Sequence, residues 1–167
     1  MPEVLVVGVG NPLRGDDGLG WSATRLLART FGAEAETCFL EENRFLSPDE
    51  AVEIVTCQQL TLDLVETVHA AGFVVFIDAS VKGDPGTLTG ETIMPETPQN
   101  LISHQFAPPT LLAAVKALYG ACPEGKLFSI TARSFEFVEV LSPEVAEKLP
   151  ELVRRVEEAI KAKSSAI

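Results

Sequence analysis

The chain has 167 residues, of which 46% are hydrophobic and 22% charged, so it has the length and composition of one globular domain with a sizeable core. Its formal net charge of -11 repels nucleic-acid phosphates and anionic lipid surfaces. The longest apolar run, around Phe73 to Ile77, is far shorter than the roughly 20 residues of a membrane-spanning helix. We therefore expect one domain over residues 1–167, with neither a nucleic-acid nor a membrane partner.

Two further features favour a reducing compartment. The chain begins MPEVLVVGVGN, which lacks the basic segment of a signal peptide. Cys38, Cys57 and Cys122 are odd in number, widely spaced and without a CxxC pair, which argues against a disulfide framework and against a zinc-thiolate site. We expect a cytoplasmic protein whose cysteines act as buried apolar residues.

The first predicted unit is a strand, a loop and a helix. Glu3 to Val9 is a nearly continuous apolar run that ends in turn residues, as in a strand covered on both faces. Gly18 to Phe31 carries its apolar residues at helical spacing. Ser47 to Glu50 then reads as a capping box, which predicts at most one helical turn before a β-branched strand over Ala51 to Cys57. The rest of residues 33–50 fits no element.

The second half of the chain continues this alternation. Five further elements are predicted from periodicity and turn residues: a short helix over Leu60–Val68, a buried strand over Phe73–Ile77, an edge strand over Gly86–Ile93, a helix over Pro108–Tyr119 that Gly120 ends, and a strand over Lys126–Thr131. Ser142 and Pro143 cap a final amphipathic helix, which Pro150 is expected to kink. This order predicts an α/β fold, a three-layer α/β/α sandwich with a mostly parallel sheet of about five strands.

The loop after the first strand, GVGNPLRGDDG from Gly8 to Gly18, contains both glycines and acids. Leu13 stands where a dinucleotide-binding fingerprint needs its third glycine, and no Gly-Lys-Ser/Thr follows, which disfavours a nucleotide site. Asp16 and Asp17 stand at the start of the helix, where they can cap it or interact with its dipole. Alternatively, these carboxylates can bind a metal ion.

Two more polar residues fall on the same edge of the predicted sheet. Asp78 follows the second buried strand, and His104 precedes a helix. Each has a plainer alternative, a turn-capping carboxylate and an exposed loop histidine. Together with Asp17 they form a set of two carboxylates and one imidazole, which suits Zn, Ni, Mn or Fe with open positions for water or substrate. This set predicts a metallohydrolase, whereas His69 fits a helix dipole better.

With these motifs the sequence resembles the hydrogenase maturation endopeptidases, which remove a C-terminal extension from the nickel-loaded large subunit of nickel-iron hydrogenases. The resemblance covers nearly the whole chain. It rests on Gly8-x-Gly10-Asn11-x-Leu13-x-x-Asp16-Asp17-Gly18-x-Gly20, on Asp78-Ala79, on Ser103-His104 and on Leu141-Ser142-Pro143-Glu144-Val145.

The resemblance implies that Asp17, Asp78 and His104 bind metal and are catalytic, while Asp16 is structural or supports them. It also implies that the nickel arrives with the large-subunit precursor, that the protein carries no cofactor of its own, and that zinc or cadmium can replace nickel in crystals. We expect a monomer. The alternatives are a nickel-sensing maturation chaperone that does not cut, and a nucleotide-binding α/β domain.

One departure from the family pattern concerns the branch. Many members carry an Asp-Gly-Gly-Thr-like turn where this chain has Thr56-Cys57-Gln58-Gln59-Leu60. That stretch, together with Leu118-Tyr119-Gly120 and Ser134-Phe135-Glu136, is similar to the branch that serves NAD-linked bidirectional hydrogenases.

Overall fold

The computed structural model describes residues 1–33, 43–98 and 106–165. The strands within these ranges are β1 Val4–Val9, β2 Arg44–Leu46, β3 Val52–Cys57, β4 Phe73–Ser80, β5 Leu88–Ile93 and β6 Glu124–Thr131. The α-helices are α1 Leu19–Thr30, α2 Val65–Ala70, α3 Pro108–Tyr119 and α4 Pro143–Ser164. Short 3-10 turns at Gly15–Gly18 and Leu62–Leu64 precede α1 and α2.

The strands form one six-stranded sheet in the order β2-β3-β1-β4-β6-β5. The four central strands, β3, β1, β4 and β6, are parallel, and both edge strands run antiparallel to their neighbours. The predicted α/β fold with a mostly parallel sheet is therefore confirmed, with six strands instead of about five. The additional strand is the three-residue β2, which is too short for any periodicity to reveal.

The core lies on both faces of the sheet, as a three-layer arrangement requires. Alternate residues of β1 point to opposite faces: Val4 and Val6 pack with the cluster that contains α1 and α4, and Leu5 and Val7 pack with the cluster that contains α2 and α3. All four side chains are fully buried. Because α1 follows β1 on one face and α3 lies on the other, the carboxyl ends of β1 and its neighbour β4 border the crevice where ligands bind in sheets of this kind.

The predicted helical turn at Ser47–Glu50 is wrong. These residues form the turn between the antiparallel strands β2 and β3. The Ser47 hydroxyl donates to the Asp49 carboxylate at 2.5 Å and accepts from the backbone N–H of Val52 at 3.0 Å, and Glu50 has a φ of 58°. Ser and Asp side chains hydrogen-bond to nearby backbone groups in helix caps and in turns alike. At this position their hydrogen bonds stabilise a tight turn.

The helix ends also depart in detail from the sequence-based expectation. Helix α4 begins at Pro143, but the Ser142 side chain makes no capping bond to it and donates to Asp16. The helix continues through Pro150 to Ser164. Gly120 ends α3 as predicted, in the left-handed conformation at φ 82°. Within the described ranges, no helix is both long and apolar enough to cross a membrane.

The N-terminal glycines hold α1 directly against the sheet. A Cβ on Gly20 would lie 2.5 Å from the Val9 nitrogen and 2.8 Å from the Ile77 carbonyl oxygen, and one on Gly8 would lie 2.5 Å from the Gly20 carbonyl oxygen. Only glycine allows the start of the helix to approach the ends of β1 and β4 so closely. This close approach positions the loop before α1 over the sheet edge.

Candidate active site

A cleft of about 320 Å³ opens at the carboxyl ends of the central parallel strands. It lies where β1 and β3 end and beside the last residues of β4. Its lining residues are Val9, Gly10, Arg14, Asp17, Gln58, Gln59, Leu60, Asp78, Phe106 and Phe135. The structure therefore brings together Asp17 and Asp78, two predicted site residues that lie 61 positions apart in the sequence.

Asp17 is held by the loop that follows β1. Gly10 has a φ of 131°, and a Cβ there would lie 1.9 Å from the Asp17 carbonyl oxygen, so the loop folds back tightly on itself. The Asp17 carboxylate accepts a hydrogen bond from the backbone N–H of Asn11 at 2.8 Å. The alternative of a helix cap is wrong for Asp17, because no side chain caps either the 3-10 turn or α1. The loop directs this N–H group to its own carboxylate, which disfavours a phosphate at this position.

Asp78 lies inside β4, two residues before the strand ends at Ser80. This position corrects the prediction that the strand stops at Ile77, and it places the carboxylate in the cleft wall instead of in a solvated turn. Burial raises the pKa of Asp78 to about 7, the negative charge of Asp17 adds to the rise, and a hydrogen bond from the Ala79 backbone opposes it. Two carboxylates that share a cleft cannot both ionise easily, so the pair favours a bound proton or a cation.

Cys57, at the end of β3, was not predicted to contribute to the site. Burial raises the pKa of its thiol to about 11, and the charge of Asp78 contributes to that rise. A neutral, half-buried thiol is a poor nucleophile and a poor metal ligand. Cys57 and Cys122 are both partly buried against the same core cluster, in keeping with the expected apolar role, whereas Cys38 lies outside the described residues.

Asp16 has a structural role and is not among the residues that line the cleft. It is fully buried, and its carboxylate accepts hydrogen bonds from the backbone N–H groups of Arg133, Ser134 and Ser142 and from the Ser142 hydroxyl, at 2.7–3.1 Å. Burial alone would raise the pKa of Asp16, but these hydrogen bonds outweigh it and lower the pKa below its ordinary value. Asp16 thus ties the loop that carries Asp17 to the segment between β6 and α4.

The third predicted ligand, His104, lies outside the described residues. Phe106, two positions after it, lines the cleft and pairs with Leu60 through an isolated β-bridge. Within residues 1–33, 43–98 and 106–165, no three His, Cys, Asp or Glu side chains are arranged to hold a metal ion. His69 stacks on Tyr119 with ring centroids 3.8 Å apart, a packing contact between α2 and α3.

Sequence reasoning assigned no role in the site to five residues that line the cleft: Arg14, Gln58, Gln59, Phe106 and Phe135. Arg14 stands two positions before Asp16 in the loop, and the two glutamines follow β3 directly. Their position after parallel strands is a sequence signal that indicates them. Phe135 gave no such signal, because the fold returns to the cleft only after β6.

The comparisons with known proteins agree with this architecture. No protein-family model matches the chain, and no curated protein matches it by sequence. Among solved structures, the chain is similar to the hydrogenase maturating endopeptidase HybD from E. coli, with 27% identity, a TM-score of 0.72, and coverage of 97% of this chain and 93% of that one.

Two more distant structures share the fold. The [NiFe] hydrogenase maturation protease HycI from Thermococcus kodakarensis KOD1 is 21% identical with a TM-score of 0.65, covering 95% of this chain and 92% of that one. The hydrogenase 2 maturation peptidase from the Thaumarchaeota archaeon SCGC_AB-539-E09 is 24% identical with a TM-score of 0.61, covering 95% and 97%. That the E. coli protein, at 27% identity, is named an endopeptidase is consistent with the expectation of a hydrolase.

Proposed function

We propose that this protein is an endopeptidase that removes the C-terminal extension of a nickel-iron hydrogenase large-subunit precursor once nickel is in place. The observation that carries the proposal is the cleft in which Asp17 and Asp78 meet at the ends of β1 and β4. The likeness to the E. coli endopeptidase, at 27% identity over 97% of the chain, supports the same role.

In this proposal the nickel ion belongs to the substrate. Asp17 and Asp78 offer oxygen donors, and His104 adds an imidazole nitrogen. Phe106, two positions after His104 in the sequence, lines the cleft. Such a set suits divalent transition metals and leaves coordination positions open for ligands of the precursor.

The electrostatics of the cleft support the proposal that the precursor must carry nickel before it is cleaved. Without a cation, ionised Asp17 and Asp78 repel each other, and Asp78 retains a proton up to a pH of about 7. A divalent ion bound to the precursor replaces that proton and removes the repulsion, so the nickel-loaded precursor binds better than the empty one.

Peptide-bond hydrolysis then needs an activated water and an acceptor for its proton. A divalent ion lowers the pKa of a bound water, and a carboxylate within reach that does not coordinate the ion can accept the proton of that water. The nickel-loaded cleft would meet both requirements. Asp16 lies outside this chemistry and keeps the Asp17 loop in register with the rest of the wall.

The choice of precursor is part of the proposal. Because Thr56 to Leu60 and the segments around Leu118 and Ser134 are similar to the branch for NAD-linked hydrogenases, we propose a precursor from that class. We also propose that the protein acts as a monomer in the cytoplasm. Size-exclusion chromatography with light scattering, with and without precursor, measures the oligomeric state directly.

The central experiment incubates purified precursor with the protein, with and without nickel, and records its intact mass. Release of a C-terminal peptide only from the nickel-loaded sample, and its loss with Asp17→Asn or His104→Ala, is the expected result. Intact precursor in a stable nickel-dependent complex would favour the non-cutting chaperone. Thermal stabilisation by NAD or ATP, with none from nickel or zinc, would favour the nucleotide-binding domain.

A further inference from the structure

A second cavity, of about 230 Å³, lies on the other side of the loop that carries Asp17. We call it the side cavity. The loop contributes Pro12, Leu13 and Gly15 to it, α1 contributes Trp21, Ser22 and Arg25, and Glu139 and Leu141 close it. Leu13 and Arg14 are consecutive, yet Leu13 lines the side cavity and Arg14 lines the candidate active site. The two spaces are therefore neighbours, separated by one loop.

Among the described residues that line it, the side cavity contains an arginine nitrogen without a hydrogen-bond partner. The Nε atom of Arg25 is buried and makes no hydrogen bond among the described residues. Other arginines of this acidic chain find carboxylates, as Arg133 does with Glu144 at 3.1 Å and Arg154 with Glu158 at 2.6 Å. A buried donor with no acceptor costs free energy, and a guanidinium matches a carboxylate in charge and geometry.

The other walls indicate that the missing acceptor belongs to a polypeptide. The volume lies below the roughly 300–1,000 Å³ typical of small-molecule sites. Apolar side chains are exposed beside the loop, with Leu13 at 52%, Phe137 at 84% and Val140 at 71% exposure, and such side chains often mark protein contacts. Phe137 lies beside the candidate active site, since the Arg14 guanidinium is 5.7 Å from its ring centre.

We propose that the side cavity binds a carboxylate of the precursor polypeptide, with Arg25 as its partner, while the scissile region occupies the neighbouring cleft. This inference rests on the proposed function, because the occupant is a second part of the same substrate. The carboxylate comes either from an acidic side chain or from the chain terminus, and both present the same chemistry to Arg25.

Glu139 gives the proposal a second, opposite test. It is exposed, lines the same cavity and repels an incoming carboxylate. Replacing Arg25 with glutamine should therefore weaken binding, and replacing Glu139 with glutamine should strengthen it. A site for an apolar group alone would respond to neither charge.

Binding can be measured without the precursor, because Trp21 is the one tryptophan of the sequence and lines the side cavity. Its indole Nε1–H donates to the Gly10 carbonyl at 2.7 Å, so its fluorescence reports on the cavity and on the Asp17 loop. Three short acetylated peptides serve as probes: an amidated peptide with a central glutamate, a glutamine peptide with a free C-terminus, and an amidated glutamine peptide.

We expect a saturable fluorescence change with one or both carboxylate peptides and a weaker one with the neutral peptide, and the better of the two identifies the source of the carboxylate. Arg25→Gln should weaken the carboxylate peptides about three- to ten-fold, Glu139→Gln should tighten them, and the control Arg154→Gln should change nothing. Equal binding of all three peptides, or an Arg25→Gln variant with unchanged affinity, would overturn the proposal.

With the precursor as substrate, Arg25→Gln should raise KM about three- to ten-fold and leave kcat unchanged, because in this proposal Arg25 contacts a part of the precursor that is separate from the scissile region. If the Arg25→Gln variant cuts the precursor with an unchanged KM, the side-cavity proposal is refuted and the proposed function still stands. If the wild-type protein does not cut the precursor at all, the proposed function fails, and the peptide titration still decides whether the cavity binds carboxylates.

Discussion

Replacing Asp78 with asparagine should make the protein more stable at neutral and alkaline pH while abolishing the proposed cleavage. The reason is that the folded chain holds Asp78 where its charge is unfavourable, since burial and then the charge of Asp17 raise its pKa from 3.8 to about 7. Asparagine has nearly the same shape and never ionises. A site residue that lowers stability in this way is typical of functional positions.

The stability difference between Asp78→Asn and the wild type depends on when Asp78 loses its proton in the folded chain and in the unfolded chain. Below a pH of about 4, Asp78 is protonated in the folded and unfolded chains alike, and the variant gains nothing. Between about pH 4 and 7 the unfolded chain releases this proton and the folded chain retains it, so the wild type loses up to about 1.4 kcal/mol per pH unit.

Above a pH of about 7, Asp78 is ionised in both states and the loss is complete. A rise of the pKa from 3.8 to about 7 corresponds to about 4 kcal/mol. Relaxation of the cleft reduces this figure, so we expect about 2–4 kcal/mol, or about 5–15 °C in Tm for a domain of this size.

Urea unfolding followed by Trp21 fluorescence measures this difference at several pH values. The advantage of Asp78→Asn over the wild type should grow by about 1–2 kcal/mol between about pH 5.5 and 8.5. Asp84→Asn, which removes an exposed carboxylate, is the matched control and should show no such trend. A stability difference that is independent of pH, or a wild type that is the more stable protein at pH 8.5, would refute the reasoning.

Further predictions concern the elements around the cleft. Asp17→Asn should lower the pKa of Asp78, because it removes the charge that contributes to the rise. The pKa should stay above the ordinary value of a carboxylate, because burial is the larger cause of the rise; carboxyl-carbon NMR of Asp78 measures this. Asp16→Asn should lower the free energy of unfolding by about 2–4 kcal/mol, because an amide nitrogen would face buried N–H donors; unchanged urea unfolding would contradict this. Gly20→Ala should cost about 3–5 kcal/mol through its contacts with the sheet backbone, whereas Gly120→Ala, with nothing within 4 Å of the added Cβ, should cost only about 1–2 kcal/mol for its left-handed backbone; equal losses in thermal unfolding would contradict the packing argument.

Much of the fold was predictable because local patterns and tertiary structure agree. The apolar run of β1 predicts a strand buried on both faces, and the spacing of α1 predicts an amphipathic helix packed on the sheet. The α/β order then predicts that residues after parallel strands share one edge, which is why Asp17 and Asp78 could be predicted as a pair. This inference needs only chain direction and topology.

Other features depend on contacts that no local pattern contains. Ser47 and Ser142 carry residue patterns of helix caps, but the turn before β3 and the Asp16 carboxylate compete successfully for their hydroxyl groups. Phe135 and Arg25 reach their cavities only because the segment after β6 and the outer face of α1 meet the same loop.

The sequence by itself determined the layered α/β architecture and the chemical identity of the acids at the end of the sheet, because hydrophobic periodicity and chain order set both. Only the tertiary structure decided what each acid does. Asp16 and Asp17 are adjacent in the chain and identical in chemistry. One is surrounded by backbone N–H groups that satisfy its charge, whereas the other faces Asp78 across a cleft, and that difference in environment separates a structural carboxylate from a candidate ligand.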